Sequence, residues 1–330
     1  MIKKVLVIGS NSFSGSDFID LLLTKGEYSV VGISRSPEKS ALFLPYKRLL
    51  NADFKFYQMD LNKNMAEVRE LINVIKPDYI VNFAAQGEVA PSWKNPAQWF
   101  QTNTLALTEL ADFLKDCKFL KRYVHISSPE VYGSCVGAVK EDASLNPSTP
   151  YAASKAAGDL SLFTFVKNFK LPLVMIRSTN VYGAHQQLFK IIPRSVIYVK
   201  SGRIIELHGG GTAVKSYIHI RDISKGELAA MENGRGGQRY QLSPDQGIAV
   251  KDVVKIICDK LMVSFDKATK VVEERIGQDA AYVIDSNKAR REFGWCPSIG
   301  MDEGVSGVVN WITTNWEEIK KEPLEYIHKP

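Results

Sequence analysis

Tyr151 and Lys155 stand four residues apart in Tyr151-Ala152-Ala153-Ser154-Lys155. On a helix, positions i and i+4 share a face. A lysine one turn from a tyrosine keeps a positive charge near the phenol and lowers its pKa. The phenol can then act as acid or base on a substrate hydroxyl. The same spacing also occurs on ordinary exposed helix faces, so the pair gains meaning only from its surroundings. About twenty residues earlier an apolar run ends in Ile126-Ser127-Ser128, with Glu130 close behind.

The elements that would position these residues alternate. Lys3–Ile8, Ser29–Ser34, Phe54–Met59, Tyr79–Phe83, Arg122–Ser127 and Leu173–Arg177 are short, β-rich apolar runs. Between them Ser14–Lys25, Val68–Ile75, Trp99–Cys117 and Tyr151–Phe169 have helical spacing; in the first, Phe18, Ile19, Leu22 and Leu23 share a face. Strands alternating with helices predict a parallel sheet covered on both sides. After about Asn180 the runs shorten, with glycine clusters at 209–211 and 234–237 between them. Val250–Leu261 and Val305–Trp316 are helical in pattern there. No proline- or serine-rich linker intervenes, so a smaller second lobe should pack tightly against the first around a shared cleft.

The first strand runs into Gly9-Ser10-Asn11-Ser12-Phe13-Ser14-Gly15, and a helix follows. This resembles the G-x-x-G-x-x-G turn of the short-chain dehydrogenases. A glycine makes the tight turn, small residues let a pyrophosphate approach, and the helix N-terminus offers N–H groups to the anion. Gly9, Ser12, Phe13, Ser14 and Gly15 are the implied cofactor residues. Ser12 replaces the middle glycine, and its hydroxyl could donate to the phosphate. An ordinary small-residue turn would look much the same. At the end of the second strand, Ser34-Arg35-Ser36 holds a guanidinium and no carboxylate. A fork of N–H donors matches a 2′-phosphate, so NADP is favoured, with NAD possible if Arg35 stacks on adenine. Asp60-Leu61 resembles the family's adenine-contacting pair. Asn82-Phe83-Ala84-Ala85-Gln86 resembles the segment beside the nicotinamide-side ribose, where Phe83, Ala84 and Ala85 would meet cofactor and Gln86 substrate.

Composition fits this picture. The chain has 330 residues, 45% hydrophobic and 24% charged, with a formal charge of +6. That is ordinary globular composition, enough for a large α/β domain or two smaller ones. No lysine–arginine run suggests a nucleic-acid stripe, and a mild positive balance suits an anionic small molecule. The apolar run Val5–Ile8 is too short for a signal segment or a membrane span. Cys117, Cys135, Cys258 and Cys296 form no C-x-x-C pair, and the five histidines lack metal-ligand spacing. Free thiols in a reducing, cytoplasmic compartment are expected, with no metal.

Four further segments identify a family resemblance. Ser127-Ser128-Pro129-Glu130-Val131-Tyr132-Gly133 resembles the S-T-D-E-V-Y-G run of sugar-nucleotide 4,6-dehydratases. Arg177 to Gly183 resembles their R-x-x-N-V-Y-G-P, and Tyr217 to Asp222 their W-I-H-V-x-D. Arg290 to Pro297 resembles the terminal K-x-R-x-E-L-G-W-x-P. The matches run in order over almost the whole chain. They place it with the extended short-chain dehydrogenase/reductases and imply an α/β, Rossmann-type doubly wound parallel sheet with a smaller C-terminal substrate-binding lobe. The implied division is 1–179 with about 212–232 for the dinucleotide domain, and 180–211 with 233–330 for the lobe.

The resemblance also implies roles. Ser128, Tyr151 and Lys155 would oxidise a sugar hydroxyl with the cofactor, and Glu130 would remove the C5 proton once a 4-keto group exists. Pro129 departs from the aspartate of many dTDP-glucose 4,6-dehydratases, whose carboxyl is proposed to protonate the leaving C6 hydroxyl. Epimerases, UDP-glucuronate decarboxylases and 4-keto-6-deoxy-sugar reductases are the alternatives, with a non-catalytic NADP-binding scaffold further off. Asn180, Lys190, Arg194, Lys215 and Arg275 take the places of diphosphate and nucleotide anchors. The partner is a nucleotide-diphosphate sugar, not nucleic acid or membrane. A homodimer is implied through the helices around 99–117 and 151–169.

Overall fold

The first strand shows how sequence becomes layer. In Lys3–Ile8 (β1), Val5 and Val7 point into one hydrophobic cluster, and Leu6 and Ile8 into another on the opposite face. Side chains alternate across a strand, so a run apolar at every position must be covered on both faces. The computed structural model describes residues 2–134, 137–273 and 283–329. In it β1 joins β2 (Tyr28–Ser34), β3 (Phe54–Gln58), β4 (Tyr79–Asn82), β5 (Arg122–Ile126), β6 (Leu173–Ser178) and β7 (Gln238–Leu242). All pairings are parallel, and the order is β7-β6-β5-β4-β1-β2-β3.

Chain direction across the sheet reverses between β1 and β4. In open α/β sheets the crevice at such a point, beyond the strands' carboxyl ends, is where ligands bind. Ile8 lies opposite Ile33 of β2 on one side and Asn82 of β4 on the other, so the turn after β1 opens into that crevice.

Helix Phe13–Lys25 covers one face with Phe18, Ile19 and Leu22, beside Ile223, Ala230 and Met231 of helix Ile220–Asn233. The other face is covered by Met65–Ile75, by a helix over 96–114 and by Pro150–Phe169, through residues such as Val68, Ile72, Leu110 and Leu162. Full burial of one such aliphatic side chain contributes roughly 1.5–3 kcal/mol. The 96–114 helix is α-helical at both ends and a π-helix over Gln101–Ala106.

A third cluster gathers Ile192 and Val196 of helix Ile191–Lys200, Val253 and Ile257 of Val250–Lys260, and Val305, Val308 and Ile312 of Met301–Thr314. One element differs from the expected division. Gln238–Leu242, assigned above to the second lobe, is the edge strand of the main sheet, register-paired to Val174–Ser178. Two of the sequence motifs meet structurally: Asp222 accepts from the N–H groups of Ser298 and Ile299, each at 2.8 Å, and the Trp295 indole donates to the Asp222 carbonyl at 2.8 Å. Among the described residues no helix is long and apolar enough to cross a membrane.

Candidate active site

β5 hands the chain to Ser127 and Ser128, which lead into the 3-10 turn Pro129–Tyr132. The Ser128 hydroxyl caps that turn by accepting from the Glu130 N–H at 3.2 Å. Thr149 caps the helix Pro150–Phe169 by accepting from the Ala152 N–H at 3.1 Å, with Pro150 at the first position, where its missing N–H costs nothing. Tyr151 therefore sits in the first turn and Lys155 one turn on. Ser128 hydrogen-bonds the Tyr151 phenol, and the charge of Glu130 acts on it. The structure thus brings Ser128, Glu130 and Tyr151 together.

Lys155 behaves differently from expectation. Its ammonium donates to the Ile126 carbonyl at 2.9 Å and lies 3.4 Å from His125 Nε2. Burial pushes Lys155 down to about 8, with Asp159 opposing and Arg177 adding to the fall. The Tyr151 phenol is raised, not lowered, first by burial and then by Glu130. The Glu130 carboxylate, not the Lys155 ammonium, is the charge that acts on the phenol most strongly.

Behind this wall lies a buried network that sequence reasoning missed. Asp159 accepts from Ser127 Oγ and from Arg177 Nη2, both at 2.7 Å, and both members of the ion pair are 1% exposed. Asp159 is one turn beyond Lys155 on the same helix, a spacing that offered a signal; its partner Arg177 lies on β6. His125 is fully buried, and burial holds its pKa well below the usual imidazole value.

Most of the expected cofactor residues line one cavity of about 660 Å³. Gly9, Ser12, Ser34, Arg35, Asp60, Leu61, Phe83, Ala84 and Ala85 all face it, as does Gln86, expected at the substrate; Phe13, Ser14, Gly15 and the expected cofactor-side pair Tyr151 and Lys155 do not. Gly9 has φ +82°, and a Cβ there would meet the Ala84 nitrogen at 2.7 Å, so only glycine lets the turn lie against the end of β4. A Cβ on Gly15 would meet the Gly9 carbonyl oxygen at 2.5 Å, which makes Gly15 a packing glycine. Ser12 caps the helix by accepting from the Gly15 N–H at 3.0 Å, and its hydroxyl hydrogen remains available to an acceptor. Asn11, also missed, donates to the Ser36 and Pro37 carbonyls at 3.0 and 2.8 Å, fixing the two turns against each other. Arg35 Nη2 contacts Gln86 Oε1 at 3.5 Å. Asn103, in the π-helical stretch, brackets Gln86 by bonding its N–H at 2.8 Å and its carbonyl at 3.0 Å. A close-backbone turn, a helix N-terminus and a cationic rim fit a dinucleotide.

A second cavity, of about 480 Å³, is lined by Asn180, Lys190, Arg194 and Lys215. The Asn180 Nδ2 is buried with no hydrogen-bond partner. Lys190 pairs with Glu88 at 2.5 Å. Glu88 lines both cavities, bears on Tyr151, and holds φ +66° without being glycine. Such backbone strain costs about 1–3 kcal/mol and clusters at functional sites. Arg275 lies outside the described residues.

A Rossmann-type sheet with a serine–tyrosine–lysine wall defines an extended short-chain dehydrogenase/reductase. The chain belongs to the GDP-mannose 4,6 dehydratase family, whose model matches residues 6–308. A dTDP-glucose 4,6-dehydratase from Streptomyces venezuelae, solved with NAD bound, superposes with a TM-score of 0.87 at 28% identity, over 96% of this chain and 98% of that one. A UDP-glucuronic acid 4-epimerase from Bacillus cereus, solved with UDP-glucuronic acid and NAD, gives 0.86 at 25%, over 94% and 99%. The dTDP-glucose 4,6-dehydratase of Escherichia coli is 26% identical over 95% of this chain and 94% of its own. A trifunctional UDP-glucose 4,6-dehydratase, 3,5-epimerase and reductase of Arabidopsis thaliana is 27% identical over 96% of this chain. The chain spans about half the length of that relative, 48%. The cofactor bound in these structures is NAD, so the expectation of NADP draws no support from them.

Proposed function

We propose that the chain is a nucleotide-diphosphate-sugar 4,6-dehydratase, turning an NDP-hexose into an NDP-4-keto-6-deoxyhexose without net redox change. The observation that carries the reading is Glu130 acting on the Tyr151 phenol that Ser128 also holds. A nicotinamide bound in the groove would supply a reversible hydride acceptor, for C4 first and for C6 on return. Tyr151, oriented by Ser128, is the proposed acceptor of the C4 hydroxyl proton; its phenol, raised in pKa in the free chain, must be ionised for this step, which the positive charge of an oxidised nicotinamide would favour. Glu130 removes the C5 proton, which the C4 carbonyl acidifies, and passes it to the C6 hydroxyl, which leaves as water. C5 is then reprotonated by a solvent proton relayed through Glu130, and the proton held by Tyr151 returns to solvent. Ser128, Glu130, Tyr151 and Lys155 are the proposed catalytic residues; Asn180, Lys190 and Lys215 are proposed to hold the diphosphate.

NAD is the proposed cofactor, since relatives of the same fold hold it and Arg35 contacts Gln86. The second reading, NADP, rests on Arg35 and Lys39 facing the groove at the end of β2, where no acidic residue stands. Titration with both dinucleotides separates them. We also propose a homodimer, supported by exposed Leu105 and Leu160 on the two helices expected to form it, and a cytoplasmic site in keeping with the free thiols of Cys117, Cys258 and Cys296. Light scattering of the purified chain tests the dimer.

The decisive test is a panel of UDP-, GDP-, CDP- and dTDP-hexoses with mass detection. The expected product is lighter by one water and carries a solvent hydrogen at C5. Glu130→Gln should still reduce the bound cofactor and then stall. Epimerisation is the reading favoured by Pro129, which offers no proton to the C6 hydroxyl. A product of unchanged mass, with Glu130→Gln fully active, would replace dehydration with epimerisation.

A further inference from the structure

The stretch 322–329 is neither helix nor strand, yet its residues alternate. Glu322, Leu324, Tyr326 and His328 are half-buried, and those between them are exposed. Leu324 packs on the core of the second lobe. Tyr326 meets Phe189 edge-on, with ring centroids 5.4 Å apart. His328 lies flat on Trp99, centroids 5.1 Å apart and planes 7° from parallel, and its Nε2 bonds Gln98 Oε1 at 2.6 Å. The Lys329 carbonyl accepts from Gln86 Nε2 at 2.9 Å. The first two anchors belong to the lobe side and the later ones to the dinucleotide side, so the segment crosses from one to the other. On the way Glu325 and Tyr326 line both cavities, and Lys329 lines the dinucleotide groove. The segment is tied at both ends, by Leu324 on the lobe core and by the Lys329 carbonyl at Gln86.

We propose that residues 322–329 are a strap forming the outer wall of the cofactor groove, and that they retain the dinucleotide through the turnover. The proposal rests on the reading of that groove as a nicotinamide site. Redox-neutral dehydration needs such retention, because the cofactor reduced in the first half-reaction must be reoxidised before it departs. Lys329 joins Arg35 and Lys39 in one groove, where burial and the Lys329 charge push the Lys39 ammonium down in pKa. Asp60, Glu88, Glu322 and Glu325 line the same groove, so the anchors at both ends of the segment, and not net charge, make it a wall.

The test compares the full chain, a chain ending at Lys321, and the double variant Tyr326→Ala/His328→Ala. NAD and NADP affinity, release rate, and kcat as a function of added cofactor are measured for each. The shortened chain should bind at least about tenfold more weakly, chiefly through faster release, with kcat recovered at saturating cofactor. The double variant should shift the same way, about threefold, at an unchanged melting temperature. If the full chain binds neither dinucleotide, groove reading and strap fall together. If it binds and both altered chains release cofactor at the same rate as the full chain, the strap falls alone. Tighter binding on shortening would make the segment a plug and overturn the proposal. Should the shortened chain fail to fold, the double variant's release rate decides.

Discussion

The two walls proposed for the site, one catalytic and one for the nucleotide, are built in opposite ways. On the catalytic wall, the groups behind the reacting side chains are bound to one another, although Asp159 Oδ1, Arg177 Nε and His125 Nδ1 keep no partner. Lys155 is held by the Ile126 carbonyl, and Asp159 binds Ser127 and Arg177. On the nucleotide wall the anchors stand ready for exchange. Asn180 keeps a buried amide without a partner, and Lys190 rests on Glu88, whose side chain is 29% exposed. A reaction barrier is lowered by groups fixed before substrate arrives. A ligand with two phosphates instead needs donors that it can claim. Substitutions on the first wall should therefore damage rate and stability, and those on the second should change affinity alone.

The largest effect belongs to Tyr151→Phe. Removing a positioned acid–base group typically costs about 10²–10⁴-fold. Reduction of bound cofactor in a single turnover should fall by that factor, while nucleotide-sugar affinity stays within about twofold. Near-normal reduction would take Tyr151 out of the chemistry and erase the contrast between the walls.

Asp159→Asn comes next. It leaves Arg177 buried at 1% exposure without its counter-charge. Breaking a buried pair from one side costs about 3–5 kcal/mol, so the unfolding midpoint in denaturant should drop accordingly. The change also removes the charge that raises Lys155. The Lys155 pKa, about 8 in the intact chain, then falls further, and the ammonium is lost at a lower pH. Any high-pH decline in cofactor reduction that depends on Lys155 should move down. A stable variant with an unmoved pH profile would show that the network is not what sets the catalytic lysine.

How much of this was legible follows from range along the chain. β1, with Val5–Ile8 apolar throughout, and the helix ending at Gly26 are local patterns, and they fall within a residue or two of expectation. Gln238–Leu242 escaped because an edge strand shows less apolar alternation; the amide nitrogen of its buried Gln241 donates to the Tyr132 phenol at 2.8 Å, a partner 109 residues away. The π-helical turn at 101–106 hid inside a normal helical period, yet it places Asn103 against Gln86 and Ser154. In the site, the Tyr–Lys pair was readable because helical spacing is local. The Lys190–Glu88 pair and the Gln86–Lys329 bond span 102 and 243 residues, and no pattern announces them.

Asn180→Ala tests the nucleotide wall from its waiting side. A hydrogen bond to a charged group contributes about 1.5–3 kcal/mol, so nucleotide-diphosphate affinity should weaken roughly 10–100-fold by calorimetry. The free chain should lose no stability, because the amide it discards had no partner. A lower melting temperature with unchanged affinity would make Asn180 structural.

The smallest effect is the sharpest test, because its sign runs against intuition. Lys190 and Glu88 are partly exposed, at 37% and 29%, and a pair of this kind is worth about 0–1 kcal/mol. A diphosphate must break that pair to claim Lys190. Glu88→Gln keeps the side chain's shape and leaves the φ +66° backbone as it is, but releases the lysine. Nucleotide-diphosphate binding should then tighten, by up to about fivefold, and the gain should shrink as salt rises. The variant also removes one of the negative charges that raise the Tyr151 phenol, so the phenol pKa should fall. A carboxylate that served only as a placeholder for the incoming phosphate gives this outcome. A loss of affinity on Glu88→Gln would show instead that Glu88 itself grips the ligand, and that the nucleotide wall, like the catalytic one, is built in advance.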